Sequence, residues 1–252
     1  HAQAAAATGS FALLLDAAGS DAYEMSGQYG QAHASHASMA LLVDAGVALE
    51  GNETFRLHRH GQGDAISDGW AILVEADGRN RYAALGAQSC CAQGAGRFLG
   101  VGMLVDGRGS DAYEGGDHVQ GSFYLGSTWD VYDSPQMPVP AAQGPFDAAH
   151  RETSYGGVGV LLDLQGDADS YRALGHSQGF SSGKGMGVFV DFQGTGDSVV
   201  MEDPGGDGQG CAYEDGHGFL AVLGSDATTS TFDFLKICSD GSGGGVNLGE
   251  LV

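Results

Sequence analysis

Acidic side chains recur along this chain at a spacing that suits either a row of ligands or a row of turn caps. One set stands at Asp16, Asp44, Glu75, Asp106, Asp133, Asp163 and Asp191, each closing an apolar run. A second set, Asp21, Glu53, Asp111, Asp169 and Asp197, follows a glycine two or three residues earlier. Carboxylates stacked about 4.8 Å apart repel by roughly 0.9 kcal/mol per neighbouring pair even at the dielectric of water. Two arrangements offset that repulsion. Each acid accepts backbone N–H bonds inside its own turn, or Ca²⁺ bridges successive turns through several oxygens. The candidate calcium ligands are Asp16, Asp21, Asp44, Glu75, Asp106, Asp111, Asp163, Asp169, Asp191 and Asp197. His60, Cys91 and His118 form a second candidate set, because each stands two residues before a glutamine. Imidazole and thiolate in such a ladder suit zinc or copper. Stacked side chains that satisfy a polar loop suit it equally. No cofactor is required by any of these patterns.

Nucleophilic catalysis has little support. Gly175 to Gly179 reads Gly-His-Ser-Gln-Gly, but a nucleophile elbow needs a following helix. The helix is not predicted here. Asp163, Asp191, Arg172 and Lys184 could pair acids with bases, yet acids occur in every unit and the bases are scattered. The chain reads as non-catalytic.

The elements that position these residues repeat. Glutamines at 3, 31, 62, 93, 120, 143, 178 and 209 are separated by 28, 31, 31, 27, 23, 35 and 31 residues. The acid that ends the apolar run lies 13 residues after the glutamine in all units but Gln143 to Asp163. A Gly-x-acid-x-aromatic turn follows, as in Gly19/Asp21/Tyr23 and Gly109/Asp111/Tyr113. Units of about 29 residues are too short for propeller blades, and no helical period is present. The expected fold is all-β: a parallel β-helix (β-solenoid) of about eight coils, each hydrogen-bonded to the next. Residues 1–224 are assigned to the repeats, with an irregular insertion at 126–155, and 225–252 to a C-terminal cap or tail. Since His1-Ala2-Gln3 is already in register, the chain is expected to be part of a longer polypeptide.

Before each acid the run is apolar at every position, as expected of strands covered on both faces. The columns one and three residues before the acid, such as Leu13 and Leu15, are expected to fill the interior. The intervening column (Leu14, Leu42, Leu73, Leu104, Leu161, Phe189) is expected to form an outer strip, covered either by another segment of the same chain or by a protein partner or second copy. Trp129, Tyr132 and Phe146, in the insertion, are the candidate ligand or partner loop.

The unit resembles glycine- and aspartate-rich bacterial β-solenoid repeats, and its Gly-x-Asp-x-Tyr turn is distantly similar to the calcium-binding repeats of RTX proteins. That resemblance implies a solenoid and calcium. Those repeats run nine residues, and their doubled glycine is missing at Gly19, Gly109 and Gly166. Ten Lys and Arg against 32 Asp and Glu give a net charge of −22, which excludes a nucleic-acid footprint. No apolar run is long enough for a transmembrane helix. The four cysteines do not make a zinc pattern. A secreted, periplasmic or cell-surface scaffold, adhesin or assembly subunit is the expected function. The alternative is a calcium-, metal- or carbohydrate-binding module, possibly a polysaccharide-active enzyme.

Overall fold

A computed structural model describes residues 3–46, 52–84, 91–116, 118–123, 156–166, 168–182, 184–194, 196–202, 208–212, 216–223, 231–232 and 244–248. The described chain is all-β and every strand pairing is parallel. Successive units wind into coils whose equivalent strands stack into separate sheets, as a parallel β-solenoid requires. Among the described residues no helix is long and apolar enough to cross a membrane.

The long sheet has eight strands: Phe11–Asp16, Met39–Asp44, Trp70–Glu75, Val101–Asp106, Val158–Asp163, Met186–Phe192, His217–Leu223 and Gly244–Leu248. A second sheet of seven runs from Ala22–Glu24 through Thr54–Leu57, Arg81–Ala84, Ala112–Glu114, Ser170–Ala173 and Ser198–Met201 to Thr231–Phe232. A third holds only four: Ala5–Ala7, His33–Ser35, Asp64–Ile66 and Gly96–Arg97. In later coils this side is reduced to single bridges at Phe123, Ser181 and Ala212. The regular three-sided part is therefore shorter than the eight complete coils expected from the spacing. The register is the one the acids mark: Asp106 pairs with Asp163 and Asp163 with Asp191.

Two expectations are corrected. First, the strand ending at Asp106 pairs directly with the one ending at Asp163, so no rung ending at Asp133 lies between them. The 13-residue spacing from Gln120 to Asp133 imitates the repeat without adding a strand there. Trp129, Tyr132 and Phe146 lie outside the described residues.

Second, the inner and outer faces are exchanged. Leu42, Leu73, Leu104, Leu161 and Phe189 are completely buried, and Leu14 packs against their cluster. They are core and not an interface. Leu13 and Leu15, expected inside, are 48% and 67% exposed. Period-two alternation fixes which residues share a face but not which face turns inward. The inward set in each strand is small residue, leucine and acid: Ala40, Leu42 and Asp44, or Ala71, Leu73 and Glu75. The small position is glycine from the fourth coil on. A Cβ built on Gly159 would lie 1.9 Å from the Ser122 carbonyl oxygen on the opposite wall. The coil interior is that narrow.

Candidate functional site

The two acid sets meet at the buried corner between the long sheet and the second sheet. The long-sheet strand ends in its acid, the chain turns, and the next strand starts just after the second acid. Its first inward residue is the aromatic of the Gly-x-acid-x-aromatic turn. Tyr23, Phe55, Tyr82, Tyr113 and Tyr171 stack as a column with ring centroids 4.7, 4.9, 4.8 and 4.7 Å apart. That spacing is the distance between parallel strands.

The tyrosines give the acids hydroxyl donors. Tyr23 Oη donates to Asp44 Oδ2 at 2.8 Å. Tyr113 Oη and Tyr171 Oη both donate to Asp163 Oδ2, at 2.8 and 2.7 Å. The second acid set caps backbone. Asp111 Oδ1 accepts from the Asn80 amide N–H, Asp169 Oδ1 from Asp111 N–H at 2.7 Å, and Asp197 Oδ1 from Asp169 N–H at 3.1 Å. Capping inside the acid's own turn is seen at Asp44 and Glu75, whereas in these three one oxygen caps an N–H of the neighbouring coil instead.

The remaining oxygens differ. Both oxygens of Asp106 and Asp191, Oδ2 of Asp111, Asp169 and Asp197, and Oδ1 of Asp163 are buried without a hydrogen-bond partner. The hydroxyls of Tyr82 and Tyr113 and the carboxyl of Glu75, itself pushed up to about 10 by burial and the Asp106 charge, lie near Asp106 and favour its ionisation, but none reaches it in hydrogen-bond geometry. Burial, then the Asp163 charge, pushes Asp106 up to about 7. Burial, then the charges of Asp163 and Asp197, pushes Asp191 up to about 8. Asp111, Asp163, Asp169 and Asp197 are also raised, with burial the largest cause. One ligand oxygen each from Asp106, Asp111 and Asp163 can be chosen within 4.8 Å of one another, and likewise from Asp163, Asp169 and Asp191. At the near end Asp16 and Asp21 are only partly buried. Asp44 and Glu75 are buried and have their own donors, including Asn80 Nδ2 to Glu75 Oε2 at 2.7 Å.

The histidine–cysteine ladder is present as geometry. Gly61 bridges Ala92, and Cys91 N–H donates to the His118 carbonyl, so the three residues occupy successive coils. His118 stacks on His176 with centroids 5.2 Å apart. Cys91 is disulfide-bonded, however, so its sulfur is not a thiolate ligand. His60 faces a cation. Its Nδ1 accepts from Arg97 Nη2 at 3.1 Å, and burial followed by the Arg97 charge pushes it down to about 4. The backbone also explains the residue types. His60, Cys91, His118 and His176 all have positive φ, between 46° and 64°, in a left-handed region where histidine is enriched.

Sequence reasoning missed the buried ion cluster beside this ladder. Asp64, fully buried, accepts from His33 Nδ1 at 2.9 Å and from Arg97 Nη2 at 3.1 Å. Burial acts to raise Asp64, but the Arg97 guanidinium and the His33 bond hold it well below the usual carboxylate range. Arg97 stands in register with Ile66 and Ser35, four residues after the glutamine, and a cation at that position in a chain with few was its only signal. Ser177 Oγ is buried and donates to the Gly175 carbonyl at 2.6 Å, a structural bond. Arg172 pairs at the surface with Glu202 at 2.9 Å, away from the buried Asp163 and Asp191, so the acid–base grouping does not assemble. No family model matches the chain, and no match is found among curated proteins or solved structures.

Proposed function

We propose that this chain is a non-catalytic β-solenoid serving as a structural and interaction module of a secreted, periplasmic or cell-surface assembly. It associates with a second copy through the outer face of the long sheet. One observation carries this reading. The outward positions of the seven strands from Phe11–Asp16 to His217–Leu223 are one, three and five residues before the acid position. Of these 21, all but His217 are apolar, in a chain of net charge −22. Phe11, Leu13, Leu15 and Trp70 are about half to two-thirds exposed, while Val160, Val190 and Ala221 are already shielded.

Seven strands and five residues per strand make a face of about 34 by 17 Å, roughly 580 Å². Two copies joined there bury about 1,200 Å², at the small end of specific interfaces. A face of this size stands at the top of the range for the largest apolar patch on a monomer, where such patches are often functional. Disulfide bonding at Cys91 and Cys211 supports an oxidising compartment. The likeness of the Gly-x-Asp-x-Tyr turn to bacterial calcium-binding repeats is in keeping with that location.

Native mass measurement and light scattering test the reading. The expected result is a dimer at micromolar concentration that Leu41→Lys with Ile72→Lys dissociates while the β spectrum is kept. A second protein retained from the native source in place of the second copy would replace self-association by a partner. A wild-type monomer, or a dimer indifferent to the two lysines, would overturn the proposal. Leu42→Lys, one residue away but inward, should fail to fold.

A further inference from the structure

We infer that the buried carboxylates of the fourth to sixth coils form a line of calcium sites along the solenoid axis. One is held by Asp106, Asp111 and Asp163, and the next by Asp163, Asp169 and Asp191. The inference is independent of the self-association proposed above.

Acid clusters alone do not make a metal site. Here the second observation is the set of carboxylate oxygens that have no partner: both of Asp106, both of Asp191, and one each of Asp111, Asp163, Asp169 and Asp197. All six residues are at most 2% exposed. A buried polar atom without a partner is costly, and a buried anion far more so. Three of these carboxylates spend one oxygen on a backbone cap, and Asp163 spends one on two tyrosine hydroxyls. In each the other oxygen is left over. Among the described residues no Lys or Arg compensates them. Arg81, Arg108 and Arg172 pair instead with Glu114, Asp77 and Glu202 at more exposed positions.

The row is also bounded. In the third coil the second-set position is Asn80, whose amide donates to Glu75 Oε2, so an N–H group stands where the later coils offer a bare oxygen. In the seventh coil the first-set position is Val222, paired in register with Asp191. Apart from Glu53 Oε2 in the second coil, the unpartnered carboxylate oxygens thus lie between a coil whose second acid is an amide that serves Glu75 and a coil whose first acid is a valine.

The donor chemistry selects the ion. The ligand groups are carboxylates, without thiolate or imidazole, which suits a hard cation and not zinc or copper. Ca²⁺ accepts six to eight oxygens at about 2.3–2.6 Å in irregular geometry. Mg²⁺ demands a near-ideal octahedron and keeps its waters, which a closed corner between stacked strands does not favour. Ligand oxygens that approach within 4.8 Å of one another can share one such ion. Asp163 belongs to both groups and ties the two sites together.

The test uses the whole chain, stripped with EDTA and then titrated with Ca²⁺, with Mg²⁺ as the control. About two Ca²⁺ per chain should be retained in native mass spectra. The melting temperature should rise by about 5–10 °C at saturating Ca²⁺. Tb³⁺ should bind in the same place and luminesce on tyrosine excitation, since Tyr113 and Tyr171 touch Asp163, and Ca²⁺ should quench that signal by displacement. Asp163→Asn should lower Ca²⁺ affinity at least about tenfold by removing charge common to both sites. Asp64→Asn, buried elsewhere, should keep the calcium-induced rise. If Asp163→Asn does not fold, Asp106→Asn and Asp191→Asn should each lose one of the two ions. Identical melting in EDTA and Ca²⁺ with no ion retained would overturn the inference, leaving a row of neutral carboxylic acids. Calcium retained in full by the Asp106, Asp163 and Asp191 variants would overturn it as well, by placing the ions elsewhere.

Discussion

At the scale of single residues, the glutamine that marks the repeat is a staple between two coils. Gln120 Nε2 donates to the Tyr113 carbonyl of its own coil and the Arg172 carbonyl of the next, each at 3.1 Å. Gln93 does the same with Tyr82 and Glu114. Gln62 Nε2 also donates to Gln31 Oε1 at 3.1 Å, the amide-to-amide link of a ladder, but Gln93 and Gln120 spend their amides on backbone carbonyls. The backbone φ of 54° at both Gln93 and Gln120 points to the reason: the side chain leaves a left-handed corner, and from there it meets the second sheet's carbonyls. Gln120→Ala removes both donors and leaves two carbonyls short of a bond. It should cost about 2–4 kcal/mol in urea unfolding. Arg81→Ala, which breaks a surface pair with Glu114, should change stability by no more than about 0.5 kcal/mol in the same assay. Gly159→Ala has no room for its methyl, whereas the equivalent Ala71 of the third coil already carries one. It should destabilise by about 1–3 kcal/mol.

At the scale of the strand, the acid rows set how stability follows pH. In protein without metal, Asp106 and Asp191 have folded values raised to about 7 and about 8 from 3.8. Tyr82, Tyr113, Tyr171, Glu75, Asp163 and Asp197 face them from the adjoining strands and turns. The folded state then binds more protons than the unfolded one between pH 3.8 and about 8, so stability falls as pH rises through that window. Metal-free melting temperatures should accordingly be highest near pH 4 and decline toward pH 8, with Ca²⁺ flattening or reversing the decline. A metal-free protein that becomes steadily more stable from pH 4 to 8 would show these acids to be ionised and compensated. The strand is also where the sequence is most and least legible. Register could be read directly, because Leu73, Leu104 and Leu161 are true neighbours, as are Asp106 and Asp163. Direction could not, because the inward and outward columns are both apolar and a period of two is blind to phase. The clue lay in the small residue four positions before the acid. Ala40, Ala71 and Gly102 share the parity of both leucine and acid, and only a narrow interior needs a small side chain there. The acid shares that inward face because tyrosine and backbone donors meet it there.

At the scale of the whole molecule, a solenoid is a chain of nearest-neighbour contacts, and its cooperativity is no better than its weakest interface. Most interfaces here stack hydrophobic on hydrophobic, as in the leucine column and the aromatic stack from Tyr23 to Tyr171. The same stacking sets acid on acid from Asp16 to Glu75 and from Asp106 through Asp163 to Asp191, and in the fourth to sixth coils those acids keep buried oxygens without donors. These coils also adjoin Phe123, where the third side is a bridge rather than a strand. The repulsive interface therefore lies in the middle of the rod, with the three-sided coils before it and the coil carrying Val222 after it. Without Ca²⁺ at neutral pH, the two flanks should unfold independently, giving two transitions by calorimetry. Hydrogen exchange should be fastest in Val101–Asp106 and Val158–Asp163, even though these strands lie at the centre of the long sheet. With Ca²⁺, or at pH 4 where Asp106 and Asp191 are neutral in the folded state, the middle interface is repaired and a single transition should return. Asp163→Asn should give an intermediate pattern without metal, because it removes one charge from the centre of the row. A single transition in EDTA at pH 8, with exchange slowest in those central strands, would mean that apolar stacking outweighs the buried charges without help from any ion.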